Sequence, residues 1–149
     1  MLLNLMAGLP VTLFCLLMQA IFVTICLRYY VRFRHVQPGQ ASHLLNILML
    51  SMVMLLMLLS NFMQIAIWAA LFMFLDEFDN FAAALYHSGV NFATLGYGDI
   101  IMSTRWRLLG PLEAANGILM FGVSTSVMTA AVMDVIKHNM DRLQHRERP

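Results

Sequence analysis

Charge is scarce in this chain, and the scarcity excludes most water-soluble architectures. Only 11% of its 149 residues are Asp, Glu, Lys or Arg, whereas 60% are hydrophobic and the mean hydropathy is +0.74. Such a chain has too little polar surface to cover a soluble globule, so we expect it to lie in a lipid bilayer. A formal net charge of +1, without a basic run interleaved with aromatics, excludes a nucleic-acid partner.

Residues typical of metal and catalytic sites are also few. The only two cysteines, Cys15 and Cys26, fall in the first apolar segment, where we expect them to be packing residues. The five histidines show neither H-x-x-x-H nor H-E-x-x-H spacing. No segment carries Arg at every third position, so a voltage sensor of the usual type is not indicated. The sequence therefore predicts no enzyme, no cofactor and no regulatory ligand.

Three apolar segments are long enough to cross a bilayer. They are residues 1–27, 44–75 and 108–136, and the second contains no Gly, Pro or charged residue. Because a helix needs roughly 20 apolar residues to span the hydrocarbon core, each segment is predicted to be a transmembrane helix. Pro10 predicts either a kink in the first helix or a start near residue 10. A cleaved signal peptide is the less favoured alternative, since no basic residue precedes the apolar run.

The basic residues indicate the orientation of these spans. Residues 28–43 are predicted to be a loop with a turn at Pro38 and Gly39, and residues 137–149 a short tail. The loop holds three Arg, the tail holds four Lys or Arg, and the region between the second and third spans holds two. Since cytoplasmic segments carry the excess of Lys and Arg, we expect the loop and the C-terminus in the cytoplasm and the N-terminus outside the cell (inner) membrane.

A shorter apolar segment, residues 81–93, precedes the motif TLGYGD at 94–99. It is too short to span the bilayer and fits a re-entrant half-helix, with Asp76, Glu77 and Asp79 near its N-terminus. Non-helical backbone is tolerated at membrane depth only where it lines a water-filled path or is buried in protein. Gly96 and Gly98 can adopt positive φ, which allows successive carbonyls to face one axis and replace the water shell of a cation.

Residues 44–133 resemble the tetrameric potassium-channel superfamily, specifically small bacterial channels with one pore domain per chain, and most closely over 84–99. The resemblance implies an all-α membrane protein with three transmembrane helices, a re-entrant pore helix and a selectivity-filter loop. Its pore domain, 44–136, would comprise an outer helix (44–75), a pore helix (80–93), the filter (94–99) and an inner helix (108–136). Residues 1–43 would be an N-terminal helix and loop, and the protein a homotetramer that conducts K⁺ passively.

The resemblance also implies roles for individual residues. K⁺ would be held by the carbonyls of Thr94, Leu95, Gly96 and Tyr97, with Gly98 completing the filter and Asp99 at the outer mouth. Filter support is expected from Tyr86, Val90 and Glu113, of which Tyr86 is positioned to hydrogen-bond Asp99 and Glu113 either buttresses the filter or lies at the membrane interface. The sequence departs from the family's pattern at Leu95, Val90 and Met102. A non-conducting or partner-dependent subunit and a weakly selective cation channel therefore stay open as alternatives.

The third span is rich in small residues. Gly122, Ser126, Thr129 and Met133 follow a spacing of i, i+4, i+7 and i+11, so they share one helix face that is predicted to line an aqueous cavity, although small residues also serve helix packing. Gly117 and Gly122 are candidate bending points of a gate. Trp106 is interpreted as an anchor at the outer membrane interface. The first span has no assigned role, and Asn4 and Gln19 are its candidate hydrogen-bonding residues.

Overall fold

The protein is built from four helices and their connections. A computed structural model describes the backbone of residues 1–36 and 43–146, and the side chains of residues 1–32 and 44–140. The helices are α1 (Leu2–Val36), α2 (His43–Phe74), α3 (Phe81–Phe92) and α4 (Leu109–Arg146). Three stretches, Leu2–Arg32, Leu44–Phe74 and Leu109–Met140, are long and apolar enough to cross a membrane. The described part of the chain is thus all-α, with three potential spans and one short helix.

Two helices extend further than the sequence predicted. α1 continues to Val36 instead of ending near Leu27, and α4 continues to Arg146 instead of ending at Ile136. Neither extension contains Gly or Pro, so nothing in the backbone chemistry ends the helix when the residues become polar. α1 also runs through Pro10 without a break in its assignment. The predicted turn at Pro38 and Gly39 lies outside the described residues.

α1 packs along the other helices through one narrow stripe. Its buried side chains recur at helical spacing and contact α2 and α4, while the remaining faces expose large apolar side chains such as Leu13 and Leu17. The stripe consists of Asn4, Cys15, Met18, Gln19 and Cys26. In a bilayer the exposed apolar faces would meet lipid, and only the stripe must match a protein surface. Both cysteines are packing residues within two apolar clusters, as expected.

A buried polar network joins α1, α2 and α4 near the middle of their lengths. The Oε1 atom of Gln19 accepts hydrogen bonds from the Ser60 hydroxyl (2.6 Å) and the Gln64 amide (2.8 Å). Its Nε2 atom donates to the Ser124 hydroxyl at 3.2 Å, and Asn61 donates to the same hydroxyl at 3.3 Å. Interhelical hydrogen bonds of this kind stabilise membrane helix packing, so α1 is attached to the other helices by polar contacts as well as by apolar packing.

The N-terminal end of α1 is held close to the start of α4. The Asn4 amide donates a 2.8 Å hydrogen bond to the carbonyl of Arg105. A Cβ atom at Gly8 would overlap the side chain of Leu112, so the two helices approach where α1 has no side chain. Trp106, expected at the membrane interface, is instead 7% exposed and belongs to the apolar core, with the Arg105 guanidinium 5.2 Å from its ring centre. The indole was misplaced because its burial depends on helices distant in sequence.

The connection from α2 to α3 is a capped turn. Asp76 has φ of 55°, its amide donates to the carbonyl of Met73, and the Glu77 amide donates to the carbonyl of Phe72. This is a Schellman motif, with Asp76 in the left-handed position that usually holds Gly. Asn80 then caps α3 by accepting a 2.8 Å bond from the Ala83 amide. The first turn of α3 contains no acid, and Asp76, Glu77 and Asp79 all precede the Asn80 cap.

Candidate functional site

Thr94, the first residue of the TLGYGD loop, also belongs to the motif that caps the end of α3. The Thr94 amide donates to the carbonyl of Asn91 at 2.8 Å, and the Leu95 amide donates to the carbonyl of Val90 at 2.9 Å. These two bonds form a second Schellman motif, in which Thr94 occupies the left-handed position with φ of 58°. A β-branched residue rarely adopts that conformation, which costs about 1–2 kcal/mol. The loop therefore begins with a strained residue.

The sign of the backbone angle φ alternates along the TLGYGD loop. Positive φ values occur at Thr94 (58°), Gly96 (57°) and Gly98 (73°), whereas Leu95 and Tyr97 between them do not have positive φ. Glycine adopts this conformation without a Cβ penalty, which explains two of the three positions. All residues from 94 to 99 are exposed, including Leu95 at 54% and Tyr97 at 66%. The loop thus presents both its backbone and its apolar side chains at the surface of a single chain.

Asp99, the last residue of the loop, is bound to α3. The Tyr86 hydroxyl donates a 2.6 Å hydrogen bond to Asp99 Oδ2, as the sequence predicted for this pair. This hydrogen bond lowers the pKa of the Asp99 carboxyl below its ordinary value and raises the pKa of Tyr86 above its own. The bond connects the last residue of the loop to the helix that precedes it, across 13 residues of sequence.

A second connection between α3 and the segment after the loop runs through His87. Its Nδ1 atom lies 3.0 Å from the carbonyl oxygen of Ile100, and its Nε2 atom lies 2.9 Å from the Asn91 amide nitrogen. A carbonyl only accepts, so Nδ1 carries the hydrogen, and Nε2 accepts from Asn91 in the neutral ring. Burial lowers the pKa of His87, which packs against the rings of Phe72 and Phe78. Nothing in the sequence indicated this bond.

The inner side of α3 contacts α4 through Glu113. Its side chain has no exposed surface, which favours the buttressing role over the interface position that the sequence had left open. Glu113 Oε1 lies 2.5 Å from Ser88 Oγ, and Ser88 Oγ also lies 2.7 Å from the carbonyl oxygen of Ile65 in α2. One hydroxyl therefore bridges three helices. Val90, the other predicted support residue, is 8% exposed and contributes its backbone carbonyl to the cap at Leu95.

Gly117 lies where α4 meets the end of α3. A Cβ atom at this position would overlap the backbone carbonyl oxygen of Phe92, the last residue of α3. Glycine is thus needed for close approach of the two backbones, a reason that the sequence alone did not reveal. At Gly122, in contrast, a Cβ atom would meet no other atom within 4 Å. Of the two predicted bending points, only Gly117 is held by a neighbouring helix within the chain.

The residues predicted to line a cavity share an open face of α4. Gly122, Ser126, Thr129 and Met133 are all exposed, and Ser126 hydrogen-bonds back to the carbonyl of Gly122 at 2.9 Å. The opposite face of α4 carries buried residues, among them Glu113, Asn116, Met120, Ser124, Ala131 and Val135. α4 therefore has one face that packs within the chain and one that remains available to water or to another molecule.

Comparison with known families gives one match that covers most of the chain. A family model described as an ion channel matches residues 11–134, which include parts of α1 and α4 and all of α2, α3 and the loop. The chain belongs to this ion-channel family. Neither the curated proteins nor the solved structures contain a match of comparable significance. The interpretation as a member of the membrane ion-channel superfamily is thereby confirmed.

Membership in the family accounts for the arrangement of the channel's helices. Three helices have the length and composition of membrane spans, and the short helix α3 with its exposed loop lies between the second and third. The hydrogen bonds of His87 and Ser88 could not be predicted from the sequence. Their partners are the backbone carbonyls of Ile100 and Ile65, which every residue type possesses.

Proposed function

We propose that the protein is a K⁺-selective channel that conducts passively through a filter of backbone carbonyls from Thr94 to Gly98. The observation that supports this most is the alternation of positive and ordinary φ along the TLGYGD loop. In an extended strand, successive carbonyls point to opposite sides. Alternation between positive and negative φ turns them toward one side instead. A row of carbonyls on one side replaces the hydration shell of a monovalent cation, as in potassium channels.

The surface of the single chain supports a homotetramer. One loop supplies carbonyls from one direction only, and enclosing an ion requires copies of the loop around a common axis. Leu95 and Tyr97 expose about half or more of their side chains, 54% and 66%, on a loop that lies between two membrane spans. Association of four copies would cover these apolar side chains and bring four Asp99 carboxylates to one mouth, where they concentrate cations. The open face of α4 would then line the cavity below the filter.

The proposed orientation in the cell (inner) membrane places the N-terminus and the loop 94–99 outside and the C-terminus in the cytoplasm. Its support is the distribution of Lys and Arg described above. Arg28 and Arg32 lie on the last turns of α1, where long basic side chains reach the polar interface without breaking the helix. Labelling of intact cells with a membrane-impermeant thiol reagent tests this orientation. We expect Thr104→Cys to react and Lys137→Cys to remain protected, and the reverse pattern would contradict the proposed orientation.

The function is tested by K⁺ flux into liposomes that contain the purified protein, with Na⁺ flux measured in parallel. The decisive variant is Gly96→Ala. Its new Cβ would meet no atom within 4 Å, so its effect comes from the left-handed φ of 57° and not from a clash within the chain. Gly89→Ala is the matched control, because Gly89 lies inside α3 and a Cβ there stands 4.0 Å from Ile65. We expect selective K⁺ flux in the wild type and in Gly89→Ala, and its loss in Gly96→Ala.

Three outcomes would contradict the proposal. Equal K⁺ and Na⁺ flux in the wild type would indicate a weakly selective cation channel. No flux from a protein that is tetrameric by crosslinking would indicate a non-conducting or partner-dependent subunit. A Gly96→Ala protein that conducts like Gly89→Ala would show that permeation does not depend on the left-handed backbone conformation at this position.

A further inference from the structure

Glu113 is an acid in the interior of the helix bundle with no compensating cation. Its side chain is fully buried, and no Lys, Arg or His forms a salt bridge with it among the residues whose side chains are described. Isolated charges are costly at membrane depth, and ionisable residues there usually pair or lose their charge. Whether Glu113 is a neutral carboxylic acid or a carboxylate must therefore be judged from its hydrogen bonds.

The number of hydrogens that the Ser88 hydroxyl can donate determines the protonation state of Glu113. Ser88 Oγ lies within hydrogen-bonding distance of two oxygen atoms, the Ile65 carbonyl at 2.7 Å and Glu113 Oε1 at 2.5 Å. A serine hydroxyl has one hydrogen to donate and can accept others. The Ile65 carbonyl only accepts, so Ser88 donates to it. If Glu113 were a carboxylate, two acceptors would compete for one hydrogen and one of the two short contacts would set lone pairs against each other.

We propose that Glu113 is a neutral carboxylic acid that donates a hydrogen bond to Ser88 and thereby joins the inner helix to the pore helix and the outer helix. In this arrangement the proton of Glu113 lies between Oε1 and Ser88 Oγ, and the serine proton lies toward the Ile65 carbonyl. Every short contact then has one donor and one acceptor. Glu113 is a positioning residue, since it acts on the filter only through α3.

The position of Ser88 connects this bridge to the filter. Ser88 precedes Val90 by two residues, and the Val90 carbonyl accepts the amide of Leu95 at the start of the loop. One turn further along α4, Gly117 packs against the carbonyl of Phe92. The neutral acid and the close glycine contact thus fix the last two turns of α3 against α4. This role in positioning the filter rests on the proposed function, whereas the protonation of Glu113 does not.

Infrared spectroscopy of the purified channel in liposomes tests the protonation directly, because a protonated carboxyl and a carboxylate absorb at separate frequencies. We expect the difference spectrum between wild type and Glu113→Gln at neutral pH to show loss of a protonated-carboxyl band. Glu77→Gln is the matched control. Glu77 accepts bonds from both the amide and the hydroxyl of Ser103, so its exchange should remove carboxylate absorption. Loss of carboxylate absorption in Glu113→Gln would overturn the proposal.

A second variant keeps the test independent of how well Glu113→Gln folds. Ser88→Ala retains Glu113 but removes the oxygen that accepts its proton, so the protonated-carboxyl band should remain and shift to higher frequency. An unshifted band would show that Glu113 does not donate to Ser88, and the proposal would be wrong. The absence of any such band in wild type and Ser88→Ala would equally refute it.

Flux measurements test the positioning role. The amide of Glu113→Gln also donates a hydrogen bond to Ser88, so we expect K⁺ flux to stay within about threefold of wild type. Glu113→Leu fills the volume without a donor, and its K⁺ flux should fall at least about tenfold, with Na⁺ entry rising relative to K⁺. Wild-type flux and selectivity in Glu113→Leu would contradict the positioning role. If the wild type itself fails to conduct, the infrared result still stands and only the proposed function fails.

Discussion

The amide of Leu95 donates a hydrogen bond of 2.9 Å to the carbonyl of Val90, five residues earlier in the chain. This bond ends α3 and at the same time sets the first left-handed residue of the loop, Thr94, between its two partners. The helix cap and the start of the TLGYGD loop are therefore one structure. It follows that a change in the last turn of α3 should act on the proposed filter through the backbone.

Strain at Thr94 gives the first prediction. Replacing Thr94 by Gly removes a left-handed β-branched residue that costs about 1–2 kcal/mol, but it also removes the hydroxyl that we expect to ligate K⁺. Without K⁺, Thr94→Gly should melt at or above the wild-type temperature. With K⁺, its melting temperature should rise less than that of wild type, because a bound ligand stabilises according to its affinity. Thr94→Ser, which keeps the hydroxyl, is the control and should gain stability with K⁺ as the wild type does.

Gly117 and Gly122 of α4 should respond differently to substitution by alanine. Gly117→Ala places a methyl group on the Phe92 carbonyl, and overpacking of this kind typically costs about 1–3 kcal/mol. Gly122→Ala meets no neighbour within the chain and removes a helix-weakening residue worth about 1 kcal/mol. Thermal melts in detergent should show loss of stability for the first and none for the second. Equal melting temperatures would mean that α3 and α4 do not approach as closely as described.

The same pair tests the gate. If α4 bends at Gly122, Gly122→Ala should lower the open probability in single-channel recordings while leaving conductance and selectivity unchanged. An unaltered open probability would remove Gly122 from the gate. Gly117→Ala should instead change selectivity or conductance, because it displaces the end of α3.

The ionisation of Asp99 should make K⁺ conductance depend on external pH. The hydrogen bond from Tyr86 lowers the pKa of Asp99, so its carboxylate is present above that pKa and is lost as the pH falls through it. K⁺ conductance should fall over that acidic range as the mouth loses its negative charge. Tyr86→Phe removes the hydrogen bond and brings the pKa back toward its ordinary value, so conductance should begin to fall at a higher pH. His87 also faces Asp99 and becomes positive on acidification, so the comparison is repeated with His87→Gln. Identical pH profiles for wild type and Tyr86→Phe would contradict this account.

The polar network of Gln19 predicts that α1 is part of the stable channel. Gln19→Leu leaves Ser60, Gln64 and Ser124 without their shared partner, and interhelical hydrogen bonds in membranes are worth about 0.6–2 kcal/mol each. The variant should melt at a lower temperature than wild type. Thr24→Val is the control on the same helix, because the Thr24 hydroxyl bonds only its own helix backbone at Ala20. Equal melting temperatures for the two variants would show that the network contributes nothing to stability.

The sequence predicted the parts of the structure that depend on local chemistry. The bounds of α2 and α3 agree within about one residue with the apolar pattern, because the uninterrupted apolar run of α2 and the short apolar segment of α3 are visible along the chain. The pairing of Tyr86 with Asp99 was also predictable, since a resemblance to a family gave both positions. The helical extensions to Val36 and Arg146 were missed because polar composition was interpreted as loop.

Contacts between distant segments could not be predicted in this way. Gln19 and Ser124 are 105 residues apart, and nothing in either local sequence indicates the other. The close approach of Gly117 to Phe92 and the burial of Trp106 likewise depend on how whole helices pack. A single sequence shows periodicity and turn chemistry, whereas these contacts are properties of the assembled bundle.

Selectivity for K⁺ by the loop from Thr94 to Gly98 can be tested by one electrical measurement. The reversal potential of the purified channel is recorded in a planar bilayer with K⁺ on one side and Na⁺ on the other. We expect a reversal potential displaced far toward the K⁺ equilibrium potential. A reversal potential near zero, from a channel that conducts, would contradict this selectivity.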